Sequence, residues 1–394
     1  MADHDPVLVS AVRTPIGRFL GSLSPLTAPQ LGAIAIQEAI RRAGIPVDQI
    51  DEVIMGNVVS AGVGQAPARQ AALHGGVPDD VPAVTINKVC GSGLKAVMLA
   101  AQAIKAGDGD LYIAGGMESM SNAPYLLTKA RTGYRMGDAP MVDSVVNDGL
   151  WCAFEHIHMG EEAEVVADMY HVSREDQDQF AYQSHMKANA ATEAGLFRDE
   201  MVAVEVPGKK GAQIVDRDES IRPDTSLEAL ASLPTAFRKQ GGTVTAGNAP
   251  GLNDGAAATV VASEAKAREM GAPVLARITG YAAAAITPLQ IFACPPRAVR
   301  KLLDKTGLKM ADFDVIEVNE AFSAQVLANG KELDWDWERV NPNGGAVALG
   351  HPIGASGARV LATLVYQLRR RGGGRGLATL CLGGGGAVAM SVEV

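Results

Sequence analysis

Residues 40–54 read IRRAGIPVDQIDEVI, and residues 303–317 read LDKTGLKMADFDVIE. Each stretch predicts the end of a helix, a glycine stop, a short loop and a buried strand. A shift of 263 residues (303 against 40) aligns them, and a shift of 264 places Ser92-Gly93-Leu94-Lys95 on Ser356-Gly357-Ala358-Arg359. Because this period far exceeds that of a solenoid repeat, we interpret it as duplication of a whole domain half. The strand ends of two such halves are expected to meet at a shared cleft.

Strands and helices alternate in both copies. In the first copy, 7–12 reads as a buried strand, 31–43 as an amphipathic helix and 53–59 as a second apolar strand. This alternation predicts an α/β protein with a mostly parallel sheet that is covered on both faces.

The rhythm breaks between about Met117 and Gly247. We interpret this stretch as an inserted loop domain, with a long helix from Ser173 to Gly195 that starts in a capping box of Ser173 and Asp176. The predicted division is an N-terminal half at 1–119, the loop domain at 120–248, a return of the N-terminal half at 249–270 and a C-terminal half at 271–394.

Composition excludes several classes of protein. The 394 residues are 47% hydrophobic and 20% charged, with a net charge of −9, which argues against binding to nucleic acid or to an anionic membrane surface. No apolar run approaches the length of a membrane span, and residues 1–6 lack the apolar region of a secretory signal. The four cysteines have no C-x-x-C or zinc-like spacing, so we expect reduced thiols in a cytoplasmic protein.

Cys90 lies in the turn Val89-Cys90-Gly91-Ser92-Gly93, between a strand-like run at 81–86 and the start of an apolar helix. The free backbone N–H groups and the dipole of a helix N-terminus favour an anion, and the thiolate is the nucleophilic form of cysteine. A lone cysteine is more often a buried structural residue. A catalytic role for Cys90 therefore needs support from elsewhere in the chain.

The second copy supplies that support in three further segments. Asn319 lies at a strand end in Glu317-Val318-Asn319-Glu320-Ala321-Phe322. His351 lies in a glycine-rich turn before a helix, at the place that corresponds to the Cys90 turn. Cys381 ends a strand that runs into four glycines. Two cysteines and one histidine thus occupy glycine-rich turns that leave room for a substrate.

With these motifs the chain resembles the thiolase family along essentially its whole length. The matching motifs are Val-Cys-Gly-Ser-Gly at 89–93, Val-Asn-Glu-Ala-Phe at 318–322, Gly-His-Pro-Ile-Gly-Ala-Ser-Gly at 350–357 and Cys-Leu-Gly-Gly-Gly at 381–385. The resemblance implies duplicated βαβαβ halves that form a layered α-β-α-β-α core, with an inserted loop domain that binds coenzyme A (CoA). It also implies an oligomer, expected to be a homotetramer.

The resemblance further implies a reversible Claisen condensation of two acetyl-CoA molecules to acetoacetyl-CoA and CoA. Cys90 would carry the acyl group, His351 would take the thiol proton, and Cys381 would remove a proton from the α-carbon of the second thioester. His351, with a water held by Asn319, would form one oxyanion hole, and the N–H groups of Cys90 and Gly383 would form the other. The CoA thioesters are substrates, and no cofactor or metal is expected.

Residues that contact the substrate are also carried over by resemblance. Arg222 matches a position near the nucleotide, and His158, Met159 and Phe237 match positions along the pantetheine and the acyl end. Pro250 stands where relatives usually have serine, and proline offers neither a hydroxyl nor an N–H. The full set of predicted contacts is Leu150, His158, Met159, Arg222, Phe237, Ala246, Pro250, Ala321 and Phe322. Lys209 and Lys210 are further basic residues of the insertion, each expected to be an ordinary solvated side chain.

The sequence argues against a metal site and against a dinucleotide-binding site. His156 and His158 suggest a metal pair, but residues two apart do not share a helix face, and no third ligand has suitable spacing. The run Gly62-Val63-Gly64-Gln65-Ala66-Pro67 lacks the third glycine of a dinucleotide fingerprint, so binding of NAD is discounted. Cys152 and Cys294 are expected to be structural.

Three alternative functions remain. A 3-ketoacyl-CoA thiolase with a broader chain-length range has the same motifs. A ketoacyl synthase would use one cysteine with two histidines, and Cys381 argues against it. A non-catalytic thiolase-like protein that binds acyl-CoA or lipid would have no need of Cys90, His351 and Cys381 together.

Overall fold

The computed structural model describes residues 4–208 and 211–394, so residues 1–3 and the predicted solvated residues Lys209 and Lys210 lie outside it. The strands are β1 Pro6–Arg13, β2 Gly17–Arg18, β3 Glu52–Gly56, β4 Ala83–Ile86, β5 Leu111–Ser119, β6 Tyr125–Leu126, β7 Val142–Asp143, β8 Val204–Val206, β9 Gln213–Val215, β10 Asn253–Ser263, β11 Ala276–Ala285, β12 Val315–Val318, β13 Arg375–Leu382 and β14 Gly386–Glu393. The α-helices are α1 Ala28–Ala43, α2 Pro67–His74, α3 Ser92–Ala106, α4 Met159–Tyr170, α5 Arg174–Glu193, α6 Leu227–Ala231, α7 Glu264–Glu269, α8 Pro295–Thr306, α9 Ser323–Leu333, α10 Ala346–Leu349 and α11 Ser356–Arg370.

The two copies predicted from the sequence have the same strand order. The first runs β1-β10-β5-β3, with β4 beyond β3, and the second runs β11-β14-β13-β12. In each copy the first two ladders are antiparallel and the next is parallel. A short ladder joins the copies, pairing Val7 with Arg277 and Leu8 with Ala276. The strand order therefore agrees with duplication of a domain half.

Corresponding helices also begin and end at corresponding residues. Helices α1 and α8 both end before a glycine in the left-handed conformation, Gly44 with φ 64° and Gly307 with φ 73°. Helices α3 and α11 both have 15 residues and begin at Ser92 and Ser356, the serines that the 264-residue shift aligns. Glycine is favoured at the helix ends because a positive φ is costly for residues with a Cβ atom.

Helices and sheets pack in five layers. Helices α1 and α2 cover the outer face of the strands of the first copy, and α8 and α9 cover the outer face of the strands of the second copy. Helices α3 and α11 pack against each other between these two layers of strands. This confirms the layered α-β-α-β-α core. Helix α11 is buried nearly all round, as expected for a helix between two layers of strands, and its buried residues include the polar Arg359, Thr363 and Gln367.

The prediction of a mostly parallel sheet is wrong, because the sheet is mixed. Strand β10 follows the long insertion and returns antiparallel to both β1 and β5. Strands β13 and β14 form a hairpin, and Gly384 and Gly385 in its turn both have φ of 81°. A hairpin joins antiparallel neighbours through a few residues, whereas a parallel pair needs a crossover. The helix–strand alternation did not reveal the antiparallel direction of β10 or the β13–β14 hairpin.

Buried charges attach the insertion to β1. The guanidinium of Arg13 donates to Glu200 Oε1 over 2.6 Å and to the two carboxylate oxygens of Asp218 over 2.8 and 3.0 Å. All three side chains are buried.

The capping box of Ser173 and Asp176 is confirmed at the start of α5. The proposed domain limits stay a prediction, while β5 ends at Ser119 and β10 begins at Asn253. Among the described residues, no helix is both long and apolar enough to span a bilayer.

Candidate active site

A cavity of about 400 Å³ brings the two copies and the insertion together. Cys90 from the first copy and His351, Cys381 and Gly383 from the second all line it. The three reactive side chains are far apart in sequence, and the fold places them around one space. The cleft predicted between the copies is therefore present, and four of the five predicted catalytic residues line it.

Cys90 lies in the turn that precedes α3. Its neighbour Gly91 packs so closely that an added Cβ would lie 2.6 Å from Leu382 Cδ2, which sets the turn against the end of β13. Burial raises the pKa of the Cys90 thiol to about 12, while hydrogen bonds from the backbone N–H groups of Gly383 and Cys90 partly offset this effect. The free site therefore holds a neutral thiol next to the N–H groups predicted to stabilise an oxyanion.

His351 is held from several sides. Its backbone N–H donates to Asn253 Oδ1 over 2.8 Å, and its Nδ1 lies 2.6 Å from Ser356 Oγ. The Ser356 hydroxyl donates its single proton to the Pro352 carbonyl over 2.9 Å, so Nδ1–H of His351 is the donor to Ser356. This tautomer leaves Nε2 with a free electron pair. Burial, with a smaller contribution from the Arg359 charge, lowers the pKa of His351 to about 3, so the imidazole is neutral and can accept a proton.

Asn319 lies behind His351 rather than in the cavity lining. Its Nδ2 is 3.5 Å from His351 Nε2, and its backbone N–H donates to the Thr379 carbonyl over 3.0 Å. Its buried Oδ1 has no hydrogen-bond partner among the described residues. An unpaired buried amide oxygen is costly, so this position suits a bound water.

Cys381 is the second-to-last residue of strand β13, just before the glycines. Burial raises the pKa of its thiol well above the usual range, with smaller contributions from the neighbouring Cys90 and Cys294. Cys381 is therefore a protonated thiol in the free site, able to give a proton before it takes one.

Aromatic side chains form the wall contributed by the insertion. The ring of His158 stacks on Phe237 at a centroid distance of 4.7 Å, and its Nδ1 accepts from the Gly160 N–H over 3.0 Å. A Cβ on Gly160 would lie 2.1 Å from the Phe237 ring, so glycine is required there. Phe322 contacts Phe237 edge-on at 6.4 Å. The wall is apolar and flat, which suits a pantetheine arm.

Most of the predicted substrate contacts lie in this lining. They are Leu150, His158, Met159, Phe237, Ala246, Pro250, Ala321 and Phe322. Arg222 does not line the cavity; its side chain is exposed, and its backbone N–H donates to His185 Nδ1 over 3.1 Å. The prediction that Arg222 lies near the nucleotide is untested.

Other lining residues were not predicted, because isolated small or apolar residues have no distinctive sequence pattern. These are Val89, Met120, Val146, Gly149, Ala236, Thr245, Ala249, Gly251, Leu252, Ile291, Phe292 and Ile353. The support of His351 by Ser356 was also missed, although Ser356 was noted as the start of a helix. Within residues 4–208 and 211–394, no group of three or more His, Cys, Asp or Glu side chains could hold a metal ion.

Comparison with known proteins identifies the family. Residues 6–265 match the family model "Thiolase, N-terminal domain", and residues 272–394 match "Thiolase, C-terminal domain". The chain belongs to the thiolase family. It is 55% identical to the acetyl-CoA acetyltransferase of Pseudomonas aeruginosa over 390 residues and 52% identical to that of Cupriavidus necator over 390 residues, covering 99% of each chain in both cases. The crystal structure of the Bacillus anthracis acetyl-CoA acetyltransferase superposes with a TM-score of 0.97 at 44% identity, over 99% of this chain and 98% of that one.

Proposed function

We propose that this chain is an acetyl-CoA acetyltransferase that interconverts two acetyl-CoA molecules with acetoacetyl-CoA and CoA through an acyl group on Cys90. The observation that carries the proposal is the meeting of Cys90, His351 and Cys381 at one cavity. The full-length relatives with that name, at 52–55% identity, support the choice of acetyl-CoA as the substrate.

In the first half-reaction, the Cys90 thiol gives its proton to Nε2 of His351 as the sulfur attacks the thioester carbon. The N–H groups of Cys90 and Gly383 stabilise the oxyanion. The carbon–sulfur bond to CoA then breaks, and the leaving CoA thiolate takes the proton of the Cys381 thiol. The raised pKa of Cys381 keeps its thiol protonated until the CoA thiolate forms beside it.

In the second half-reaction, the Cys381 thiolate removes an α-proton from the second acetyl-CoA. The enolate oxygen is stabilised by Nε2–H of the His351 imidazolium and by a water on Asn319. The enolate carbon attacks the acyl carbonyl, and the bond to Cys90 breaks. The Cys90 thiolate recovers its proton from His351, so all three side chains return to their starting states without a redox cofactor or metal.

The proposal also covers how CoA is bound, where the protein is located and how it assembles. The apolar cavity wall binds the pantetheine, and Arg222 contributes a positive charge near the CoA phosphates. All four cysteines are free thiols, which favours a cytoplasmic location. A homotetramer is part of the proposal and rests on the family resemblance.

A series of 3-ketoacyl-CoA substrates of increasing chain length tests the proposal. We expect thiolysis to be fastest with acetoacetyl-CoA and to fall steeply for longer chains. Equal or faster rates with longer chains would assign a broad-range 3-ketoacyl-CoA thiolase instead. Absence of turnover, with acyl-CoA still bound, would favour the non-catalytic binding protein.

A further inference from the structure

The carboxylate of Glu118 lies under the turn that carries His351. Glu118 is completely buried near the end of β5. Its Oε2 accepts from the Gly354 N–H over 2.8 Å and from the Val58 N–H over 3.1 Å. Its Oε1 accepts from the Val59 N–H over 3.1 Å and from Asn57 Nδ2 over 2.8 Å. One side chain therefore links the end of β3, the end of β5 and the His351 turn.

The duplicated copy shows what packing alone requires at this position. The shift of 264 residues that aligns Ser92 with Ser356 also aligns Glu118 with Leu382. Leu382 packs against the Cys90 turn, where a Cβ on Gly91 would lie 2.6 Å from its Cδ2. An apolar side chain is thus sufficient to support that turn. The use of a carboxylate in the first copy indicates a requirement that packing does not meet.

That requirement is the close approach of several backbone groups under His351. A Cβ on Gly354 would lie 2.7 Å from the Met117 carbonyl oxygen, and a Cβ on Gly116 would lie 2.0 Å from the Gly354 carbonyl oxygen. The backbone of the His351 turn therefore contacts the backbone of β5 directly. The buried N–H of Gly354 needs a hydrogen-bond acceptor there. Glu118 provides that acceptor. Gly354 lies three residues after His351 and two before Ser356, the serine that fixes the imidazole.

The same carboxylate also fixes residues on the Cys90 side. Val58 and Val59 are buried with Ile353, and the side chains of Val89 and Cys90 pack against this cluster. Burial raises the pKa of Glu118 itself to about 7, and its ionised form makes a small contribution, after burial, to the raised pKa of the Cys90 thiol. Glu118 thus connects the nucleophile's turn with the base's turn.

We propose that Glu118 is a positioning residue that sets the His351 turn against the Cys90 turn through its hydrogen bonds to Gly354, Val58 and Val59. The inference rests on the proposed function. A carboxamide at this position keeps the shape but replaces one acceptor oxygen with a donor that faces backbone N–H groups. The His351 imidazole then shifts relative to the thiol, and misplacement of about 1 Å is enough to reduce the rate roughly 100-fold.

The test is Glu118→Gln, with Asp51→Asn as the matched control. Asp51 Oδ2 accepts from the N–H groups of Asp110 and Leu111 at the opposite end of β5, remote from the cavity. Thiolysis of acetoacetyl-CoA is measured, with kcat normalised to the number of sites that form an acyl-enzyme. We expect Glu118→Gln to lower kcat roughly 10- to 100-fold with KM changed less than about threefold, and Asp51→Asn to retain the wild-type kcat.

Asn57→Ala, which removes one donor to the carboxylate, replaces Glu118→Gln if that variant does not fold, and a smaller fall in kcat is expected. A normal kcat per acylated site in these variants, or an equal fall in Asp51→Asn, overturns the positioning role. Wild-type protein that forms no acyl-enzyme overturns the proposed function instead, so the two failures are distinguishable.

Discussion

A Cβ atom added to Gly357 would lie 2.3 Å from the backbone nitrogen of Leu94, so the first turns of α11 and α3 touch without any side chain between them. The reciprocal contact is nearly as close, since a Cβ on Gly93 would lie 2.7 Å from the Ala358 nitrogen. These are the helices that follow His351 and Cys90. These two glycines, which take no part in the chemistry, therefore allow the turns of the nucleophile and the base to approach each other.

Gly357→Ala is expected to separate these helix starts, reducing stability by about 1–3 kcal/mol and reducing thiolysis further than stability explains. Urea unfolding and activity per folded protein provide the two measurements. Gly107→Ala is the control, because Gly107 has φ of 80° but nothing within 4 Å of an added Cβ. It introduces backbone strain without a clash, so equal activity loss in both variants would contradict the argument.

Cys90→Ala is expected to abolish covalent acetylation by acetyl-CoA, because the carbonyl carbon then has no nucleophile. Mass spectrometry of the intact protein measures the adduct. Cys152→Ala serves as a control, since Cys152 is a buried cysteine without a proposed role, and it should acetylate normally. An acetyl adduct on the Cys90→Ala protein would assign the nucleophile to another residue.

Cys381→Ala is expected to separate the two half-reactions. Cys90 and His351 remain, so acetylation should still occur, although more slowly because the leaving CoA thiolate has lost its proton donor. Condensation should fall by at least about 10²-fold, the lower end of the range for removal of an acid–base group. Labelled acetyl-CoA reports acetylation, and acetoacetyl-CoA absorbance reports condensation. Normal condensation would move the base role away from Cys381.

Alkylation of Cys90 by iodoacetamide is expected to accelerate roughly tenfold for each pH unit between pH 7 and pH 9. The reason is that the pKa of Cys90 is raised to about 12 and that of His351 is lowered to about 3, so thiol and imidazole are both neutral. A preformed thiolate–imidazolium pair would instead give a rate that is level across neutral pH. Stopped-flow labelling with peptide mapping distinguishes the two, with buried Cys152 as the slow internal reference.

Glu162→Gln is expected to change how stability depends on pH. Glu162 is completely buried, and this burial raises its pKa to about 7 although the neighbouring Cys152 thiol acts in the opposite direction. The folded state thus holds this proton more tightly than the unfolded chain, whose pKa is about 4.3. The contribution of Glu162 to stability therefore falls as the pH rises from about 4 to 7 and changes little above that range.

The neutral variant should lack this loss and gain roughly 1–3 kcal/mol relative to wild type on going from pH 4 to pH 8. Urea unfolding at both values measures the difference. Glu161→Gln, at the neighbouring half-buried position, is the comparison, and it should follow the wild-type pH dependence. A constant difference between Glu162→Gln and wild type at the two pH values would contradict the prediction.

Local sequence patterns predicted the helix starts and ends correctly where a single residue type has a strong conformational preference. Gly44 and Gly307 ended their helices, and the capping box of Ser173 and Asp176 began another. Such signals depend on neighbours a few residues away, so they can be read from the chain. Strand direction depends on how the chain returns after a long insertion, and there the expected parallel sheet was wrong.

The sequence by itself determined the duplication, the family resemblance and the identities of Cys90, His351 and Cys381. These follow from residue types at fixed spacing, and spacing is a property of the chain. Only the tertiary structure decided which atoms support those residues: the hydroxyl of Ser356 under the imidazole and the carboxylate of Glu118 under its turn. Glu118 is 236 residues from Gly354, and a hydrogen bond over that separation exists only because two sheets and two helix starts pack together.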